Sequence, residues 1–222
     1  MSLKHLGIIP DGNRRWAKAQ GLPTIDGHKK GMDRIEELIS AAADESIEYI
    51  TFYIFSTENW SRSETEVSYL MKMAEMYIMK FAKKLMDNNG RLVVLGSKAK
   101  ISPKLVSTIE KAEKMTANCT GITACFCFNY GGEQEIADAA TIAADEGEIT
   151  PETIRKHLYH PEIPDVDMVV RTSGEERISG FMLWRAAYAE LMFIKKYFPE
   201  MEGSDIKLIL TEYKKRNRRF GK

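Results

Sequence analysis

Residues 8–16 read Ile-Ile-Pro-Asp-Gly-Asn-Arg-Arg-Trp, and this stretch predicts a strand, a tight turn and a helix in direct succession. The apolar run Leu6–Ile9 is typical of a buried strand, and Pro10 ends it. Residues 11–13 have turn chemistry, and residues 14–20 can form a helix. Such a strand–turn–helix unit exposes free N–H groups that attract anions.

The charges in this turn indicate which anion it suits. Arg14 and Arg15 carry forked donors that match phosphate oxygens. A carboxylate kept among positive charges, here Asp11, is typical of a divalent-cation ligand, and Mg²⁺ is the simplest choice. The competing interpretation makes Asp11 a helix cap, Asn13 a turn residue and the arginines a solvated surface. The stretch alone does not decide between the two.

Outward from this stretch, apolar strand-like runs alternate with amphipathic segments along all 222 residues. The alternation predicts an α/β fold, a single domain over residues 1–222 with a central, mostly parallel six-stranded sheet flanked by helices. The predicted strands are 6–9, 49–55, 91–95, 122–129, 166–170 and 191–194. A capping box of Ser61 and Glu64 begins a long predicted helix that reaches 88. A further helix follows 132 and runs through 144, and a short helix starts at 150. The other predicted helices are 14–20, 29–43, 102–118, 183–189 and 204–218.

Composition restricts the classes of protein. Lys plus Arg and Asp plus Glu both number 32, so the net charge is zero and we expect no nucleic-acid partner. Three cysteines without a metal-binding pattern or a signal peptide fit a reducing compartment, and we expect a cytoplasmic protein. No apolar stretch is long enough to cross a bilayer. The basic run 214–219 is interpreted as a solvated helix whose end serves a dimer, with transient membrane-surface contact for product release as the alternative.

Polar or glycine-bearing stretches follow four of the predicted strands, at 11–15, 56–60, 129–132 and 171–177. Ligands bind at the carboxyl ends of strands in parallel sheets, so this placement favours an enzyme. The nucleotide-binding loops and the hydrolase nucleophile elbow are missing. Two anion sites remain, Asp11–Arg15 and Arg171–Gly174 with Arg177 and Ser179, and the long methionine-rich helix that reaches 88 can line an apolar space. Together they indicate two phosphorylated substrates, one with an apolar tail.

Seven collinear stretches carry a specific resemblance: HLGIIPDGNRRWAK (5–18), GHKKG (27–31), FSTENWSR (55–62), FNYGG (128–132), RTSGEERISGFMLW (171–184), AYAEL (187–191) and RRFG (218–221). They resemble the cis-prenyltransferases, the family of undecaprenyl and dehydrodolichyl diphosphate synthases. The resemblance implies a homodimer with a hydrophobic tunnel. It also implies Mg²⁺-dependent condensation of isopentenyl diphosphate with an allylic prenyl diphosphate to a cis-polyprenyl diphosphate, by default a lipid-carrier precursor.

The same resemblance implies residue roles. Asp11 and Asn59 are the implied catalytic residues, and Asp11 and Glu190 the implied metal ligands. Glu190 also lies in an apolar run, where an unpaired charge is costly. Arg171, Arg177 and Ser179 match the isopentenyl diphosphate site, and Arg219–Gly221 matches a tail that completes a neighbouring subunit's site. The other implied substrate-binding residues are Gly12, Asn13, Arg14, Arg15, Trp16, His28, Ser56, Thr57, Glu58, Trp60 and Arg62.

Departures from the family pattern leave alternatives open. Pro10 and Arg14 replace the usual Met and Gly, Thr24 stands where many bacterial members have Arg, Glu133 replaces Arg, and Gly180 replaces Asn. Either Arg14 restores the charge missing at Thr24, or the allylic pocket suits a short product or an irregular coupling. A non-catalytic scaffold subunit is a third alternative, which the retained aspartate and arginines disfavour. Product length, starter and proton acceptor stay open.

Overall fold

The computed structural model describes residues 2–216, and its centre is a six-stranded sheet in the order β3-β4-β2-β1-β5-β6. Every neighbouring pair is parallel. The prediction of a parallel sheet flanked by helices is therefore confirmed. The strands are β1 (His5–Ile9), β2 (Tyr49–Ser56), β3 (Arg91–Leu95), β4 (Thr123–Tyr130), β5 (Met168–Arg171) and β6 (Glu190–Phe193).

Helices connect the strands and cover both faces of the sheet. The side chain of Ser102 accepts the Leu105 N–H at the start of α4, and Thr150 caps α6 in the same way, each followed by a proline in the first turn. These starts confirm the sequence predictions. The helices are α1 (Asn13–Ala19), α2 (Thr24–Asp44), α3 (Glu64–Asp87), α4 (Pro103–Thr116), α5 (Gly132–Asp145), α6 (Pro151–His157) and α7 (Gly203–Lys215).

Two apolar cores lie on opposite faces of the sheet. Leu6 and Ile8 of β1 pack into the larger core, which also takes in the buried side chains of α2, α3, α4 and α7. Cys125 and Cys127 of β4 pack into the smaller core as fully buried apolar groups. Because both faces are buried, the strands read as nearly continuous apolar runs. Within residues 2–216, no helix combines the length and apolarity needed to span a membrane.

The predicted helix at 183–189 is wrong, since residues 180–188 form turns. Met182, just before the predicted helix, adopts a left-handed φ of 45°. The Arg185 side chain is drawn into the core, where it donates to Glu135 at 2.7 Å and to the Tyr159 carbonyl at 2.7 Å. A buried ion pair thus sets the path of this segment, and local periodicity does not.

Two other helix starts also differ from prediction. α2 begins at Thr24, so His28 lies inside the helix. Sequence propensity does not predict this first turn, because it contains Gly27 and glycine is a poor helix former. The cap of α3 is Ser63, which accepts the Glu66 N–H, whereas the Ser61 hydroxyl donates to the Glu58 carbonyl. The predicted residues 217 and 218 of the last helix lie outside the described part of the chain.

Candidate active site

The turn after β1 is fixed by its neighbours at the carboxyl edge of the sheet. The Thr172 side chain accepts the Asp11 N–H at 2.8 Å and donates to the Asp11 carbonyl at 2.6 Å. Gly12 has a φ of 97°, and a Cβ there would lie 2.6 Å from Cδ1 of Tyr197 and 3.0 Å from Cβ of Ser173. Glycine is therefore required at this position for both conformation and space.

α2 approaches the same turn unusually closely. A Cβ on Gly27 would lie 2.1 Å from the Asn13 carbonyl oxygen, and a Cβ on Gly31 would lie 2.4 Å from Asn13 Oδ1. The two glycines, four residues apart, lie on one face of α2. They let α1 and its turn press against α2, and they place His28 beside Asn13 in the wall of the site.

Asp11 is the central carboxylate of the site. Its Oδ2 accepts from Arg171 at 2.9 Å, and its Oδ1 accepts the Gly12 N–H at 2.6 Å and lies 3.2 Å from an Arg15 nitrogen. Partial burial alone would raise the pKa of Asp11, but Arg171, the Gly12 N–H and Arg15 together hold it below its usual value. Asp11 is therefore ionised near neutral pH, as a cation ligand must be.

Arg171 ends β5 with its side chain almost fully buried. One terminal nitrogen donates to the Arg177 carbonyl at 2.6 Å and to Ser179 Oγ at 2.8 Å, and the other donates to Asp11. Its Nε is buried and has no hydrogen-bond partner in the described chain. Such an orphan donor is costly unless a ligand or water satisfies it. Arg171 thus has capacity left for an anion.

Two cavities meet at this edge of the sheet. The first encloses about 740 Å³ and is lined both by polar residues, including Arg171, Ser179 and Asn59, and by apolar residues of α2, α3, β2 and β4. The second encloses about 800 Å³ and is strongly cationic, with Arg14, Arg15 and Lys18 in its wall. Both cavities are lined by Pro10, Asp11, Asn13, His28 and Arg62. A ligand with a charged head and an apolar tail can therefore occupy both at once.

Glu66, in the first turn of α3, gathers three cationic or titratable side chains between the cavities. Its carboxylate lies 3.1 Å from Arg62 and 3.8 Å from both Arg14 and His28 Nε2. The His28 distance is too long for a hydrogen bond, and this nitrogen is a buried orphan in the described structure. Burial and the charges of Arg62 and Arg14 lower the pKa of His28 despite Glu66, so His28 is neutral at pH 7.

The short 3₁₀ helix Thr57–Ser61 and the preceding Ser56 form one wall of the first cavity. The residues of this wall that line the cavity are Ser56, Thr57, Glu58 and Asn59. Asn59 Oδ1 accepts the Ser56 N–H at 3.1 Å, which fixes the amide at the cavity. Trp60 donates from its indole nitrogen to Asn129 at 2.7 Å and packs edge-on against Phe55. Asn59 therefore faces the site, whereas Trp60 supports the wall from behind.

Some predicted site residues lie apart from the cavities. Neither cavity is lined by Trp16, Arg177 or Glu190 in the described residues. Arg177 pairs with Glu175 at 2.6 Å. Glu190 starts β6 in register with Met168, about 10 Å along the strand direction from the level of Arg171, and it lies 3.8 Å from Arg216. The structure therefore does not bring Glu190 and Asp11 together within one chain.

Sequence reasoning missed Glu66 and Glu175, and it placed Thr172 in an anion site without identifying it as the anchor of Asp11. Glu175 bridges the two predicted anion sites, with one oxygen 3.0 Å from Arg15 and the other 2.6 Å from Arg177. A signal existed for Glu66, because it follows Arg62 by four residues, the spacing of a helical ion pair. Nothing local marks the contact of Thr172 with Asp11 or that of Glu175 with Arg15, since each joins residues about 160 positions apart.

Sequence comparison identifies the family of this site. Residues 9–221 match the family model described as "Putative undecaprenyl diphosphate synthase". The chain belongs to the undecaprenyl diphosphate synthase family. An isoprenyl transferase from Rickettsia bellii is 44% identical over 100% of this chain and 99% of its own length. One from Neisseria meningitidis serogroup B is 43% identical, over 99% of this chain and 89% of that protein.

Solved structures of this family have the same fold. Lavandulyl diphosphate synthase from Lavandula x intermedia, in complex with dimethylallyl diphosphate, superimposes with a TM-score of 0.94 at 30% identity, covering 100% of this chain and 99% of that one. A probable undecaprenyl diphosphate synthase from Campylobacter jejuni gives 0.86 at 29% identity, with both chains fully covered. This member of the undecaprenyl diphosphate synthase family is a prenyl transferase, and the expectation of an enzyme is confirmed.

Proposed function

We propose that this prenyl transferase condenses isopentenyl diphosphate with an allylic prenyl diphosphate, in the presence of Mg²⁺, to give a cis-polyprenyl diphosphate. The observation that carries the proposal is the pair of adjoining cavities, one cationic and one partly lined by apolar residues, with Asp11 in the wall of both. An amphiphilic allylic diphosphate needs both environments. The chemistry needs a charged group at their junction.

The allylic diphosphate is assigned to the cationic cavity. Arg14, Arg15 and Lys18 line it on the α1 side and Arg62 on the other, so three arginine forks face one space. Arg14 and Thr24 both line this cavity, which supports the interpretation that Arg14 supplies charge where Thr24 has none. Lavandulyl diphosphate synthase was solved in complex with dimethylallyl diphosphate, which supports an allylic diphosphate as a ligand of this fold.

Isopentenyl diphosphate is assigned to the Arg171 side of the first cavity. Arg171 is held there by Asp11, Ser179 and the Arg177 carbonyl, and its orphan Nε offers a further donor. Fixed donors next to the allylic site hold the nucleophilic double bond near the reacting carbon, which is the main advantage of positioning two substrates together. In the described chain Arg177 contacts Glu175, and we assign it to the rim of this site.

The donors at Asp11 fit Mg²⁺. Among residues 2–216 no three His, Cys, Asp or Glu side chains are grouped to hold a metal alone. Mg²⁺, however, is commonly held by one or two carboxylates together with substrate phosphates and water. Asp11 is ionised and lies in the wall of both diphosphate cavities. When bound, Mg²⁺ would neutralise charge that develops on the leaving diphosphate.

The chain's own residues account for the other requirements of the reaction. Arg15 and Arg14 stabilise the departing diphosphate electrostatically. Neutral His28 and the fixed Asn59 amide line the first cavity, where the two substrates would meet. Neither side chain adds charge beside a carbocation-like carbon. A diphosphate oxygen or a group near Asn59 takes the proton released from the new unit.

A second copy of the chain is part of the proposal. β6 is an edge strand of the sheet that residues 2–216 form. Leu191 within it is 40% exposed, and Tyr188, two residues before the strand, is 78% exposed. Exposed apolar groups at the edge of a sheet favour a homodimer at this surface. Glu190 lies on the same strand, so its proposed metal role requires a site formed with the partner subunit. The proposed tail residues Arg219–Gly221 lie outside the described chain.

The default product is a long lipid-carrier precursor made by a cytoplasmic enzyme that contacts the membrane at product release.

A short product is a second candidate. Phe128 lines the first cavity, and Phe126, two residues earlier, lies on the same face of β4. The centre of the Phe126 ring lies 5.4 Å from that of Phe81 and 6.2 Å from that of Phe52. We propose that this layer of rings closes the apolar end of the cavity. Irregular coupling is a third candidate, favoured by Glu133 and Gly180 in the cavity wall, where the family pattern has Arg and Asn.

The test is incubation of the purified protein with labelled isopentenyl diphosphate, with and without Mg²⁺, and with dimethylallyl, geranyl, farnesyl or geranylgeranyl diphosphate in turn. A ladder of cis products is expected, and a single short or branched product would select the alternatives. Asp11→Ala should abolish the Mg²⁺-dependent turnover. Unchanged turnover in Asp11→Ala would refute the metal role, and no product with any starter would refute the stand-alone enzyme.

A further inference from the structure

Arg15 is held in a fixed direction across the site. Its terminal nitrogens donate to Ser173 at 2.6 Å and Glu175 at 3.0 Å, and lie 3.2 Å from Asp11. Its guanidinium carbon also lies 5.9 Å from the centre of the Tyr197 ring. The first three contacts involve the N–H groups of Arg15 and oxygen atoms, whereas in the fourth the guanidinium carbon lies over the Tyr197 ring.

Tyr197 belongs to a segment that touches both anion-binding loops. Its Cδ1 fills the space where a Gly12 side chain would stand, and the next N–H, of Phe198, donates to the Asp11 carbonyl at 3.0 Å. On the other side, the Lys196 carbonyl accepts the Ser173 N–H at 2.8 Å. The Tyr197 ring is thus fixed beside the 11–15 turn by backbone contacts before and after it.

We propose that Tyr197 is a positioning residue that aims Arg15 at the allylic diphosphate. The proposal rests on the function assigned above to the cationic cavity. A bound diphosphate competes with Ser173 and Glu175 for the N–H groups of Arg15, because all three are acceptors. The Tyr197 ring does not compete, so it keeps the guanidinium in place while its donors change partners.

The substitution that isolates this contact is Tyr197→Leu, which removes the aromatic face but keeps an apolar side chain beside Gly12. Tyr197→Phe is the matched control, because it keeps the ring. For Tyr197→Leu we expect KM for the allylic substrate and Kd for inorganic pyrophosphate to rise about two- to five-fold, the range of an exposed cation–π contact. We expect KM for isopentenyl diphosphate to stay unchanged and Tyr197→Phe to behave as the wild type, with Tm measured in parallel to confirm that Tyr197→Leu is folded.

A double-mutant cycle with Arg15→Gln separates positioning from a purely structural role. If Tyr197 acts through Arg15, Tyr197→Leu has no further effect on the Kd for pyrophosphate, measured by calorimetry, once Arg15 is replaced. An equal effect in both backgrounds, or a loss in Tyr197→Phe as large as in Tyr197→Leu, would overturn the proposal. Calorimetry does not require turnover. If the wild-type protein binds pyrophosphate but forms no product, the proposed function is refuted, and the double-mutant cycle can still be interpreted. Wild-type protein that does not bind pyrophosphate overturns both.

Discussion

Replacing Phe126 with alanine should lengthen the product. Phe126 is 4% exposed and lies between the rings of Phe52 and Phe81, one level below the cavity-lining Phe128. The substitution removes a six-carbon ring, and an isoprene unit has five carbons. The space gained therefore accommodates about one further unit, and the product distribution should shift upward by that amount.

The same substitution carries a large cost in stability. Deleting a buried phenylalanine side chain typically costs about 3–5 kcal/mol, a large part of the 5–15 kcal/mol that stabilises a domain. Phe126→Leu should cost less and give a smaller shift in length, so it serves if the alanine variant unfolds. Cys127→Ala is the control, because Cys127 faces the smaller core on the other side of the sheet.

The assay is chromatography of radiolabelled products at saturating isopentenyl diphosphate, with Tm measured in parallel. Unchanged product length in a folded Phe126→Ala variant would refute the idea that the ring layer ends the cavity. An equal lengthening in Cys127→Ala would show that general loosening of the fold, and not the position of the ring, sets the length.

Three further changes test other parts of the structure. Arg185→Met should lower the free energy of unfolding by about 3–5 kcal/mol in urea titrations, because it leaves Glu135 fully buried without its counter-ion; a neutral result would contradict this. Burial lowers the pKa of His5 from 6.5 to about 4, so between these pH values the unfolded state binds more protons than the folded state. The free energy of unfolding should therefore fall by about 3 kcal/mol as the pH drops from 6.5 to 4. His5→Gln should remove this contribution, and an unchanged pH slope in that variant would refute it. Gly31→Ala should raise KM for the allylic substrate, since its Cβ would lie 2.4 Å from Asn13 Oδ1, and wild-type kinetics would show that α2 can yield.

The sequence was sufficient for features that depend on local order. Alternating apolar runs and amphipathic segments predicted all six strands, because burial on both faces of a parallel sheet leaves a continuous apolar signature. Side-chain caps such as Ser102 and Thr150 were also readable, since the capping side-chain oxygen and the N–H that donates to it lie three residues apart. The turn at 11–15 was identified for the same reason.

Tertiary structure decided what depends on residues far apart in the chain. The path of residues 180–188 follows a buried pair between Arg185 and Glu135, 50 positions apart, which no periodicity shows. The anchoring of Asp11 by Thr172 and the bridge from Glu175 to Arg15 and Arg177 likewise appear only when β1 and β5 lie side by side. The sequence by itself determined which residue types stand at the strand ends. Only the packed sheet determined which of them share a cavity, because hydrogen bonds and ion pairs depend on distance in space.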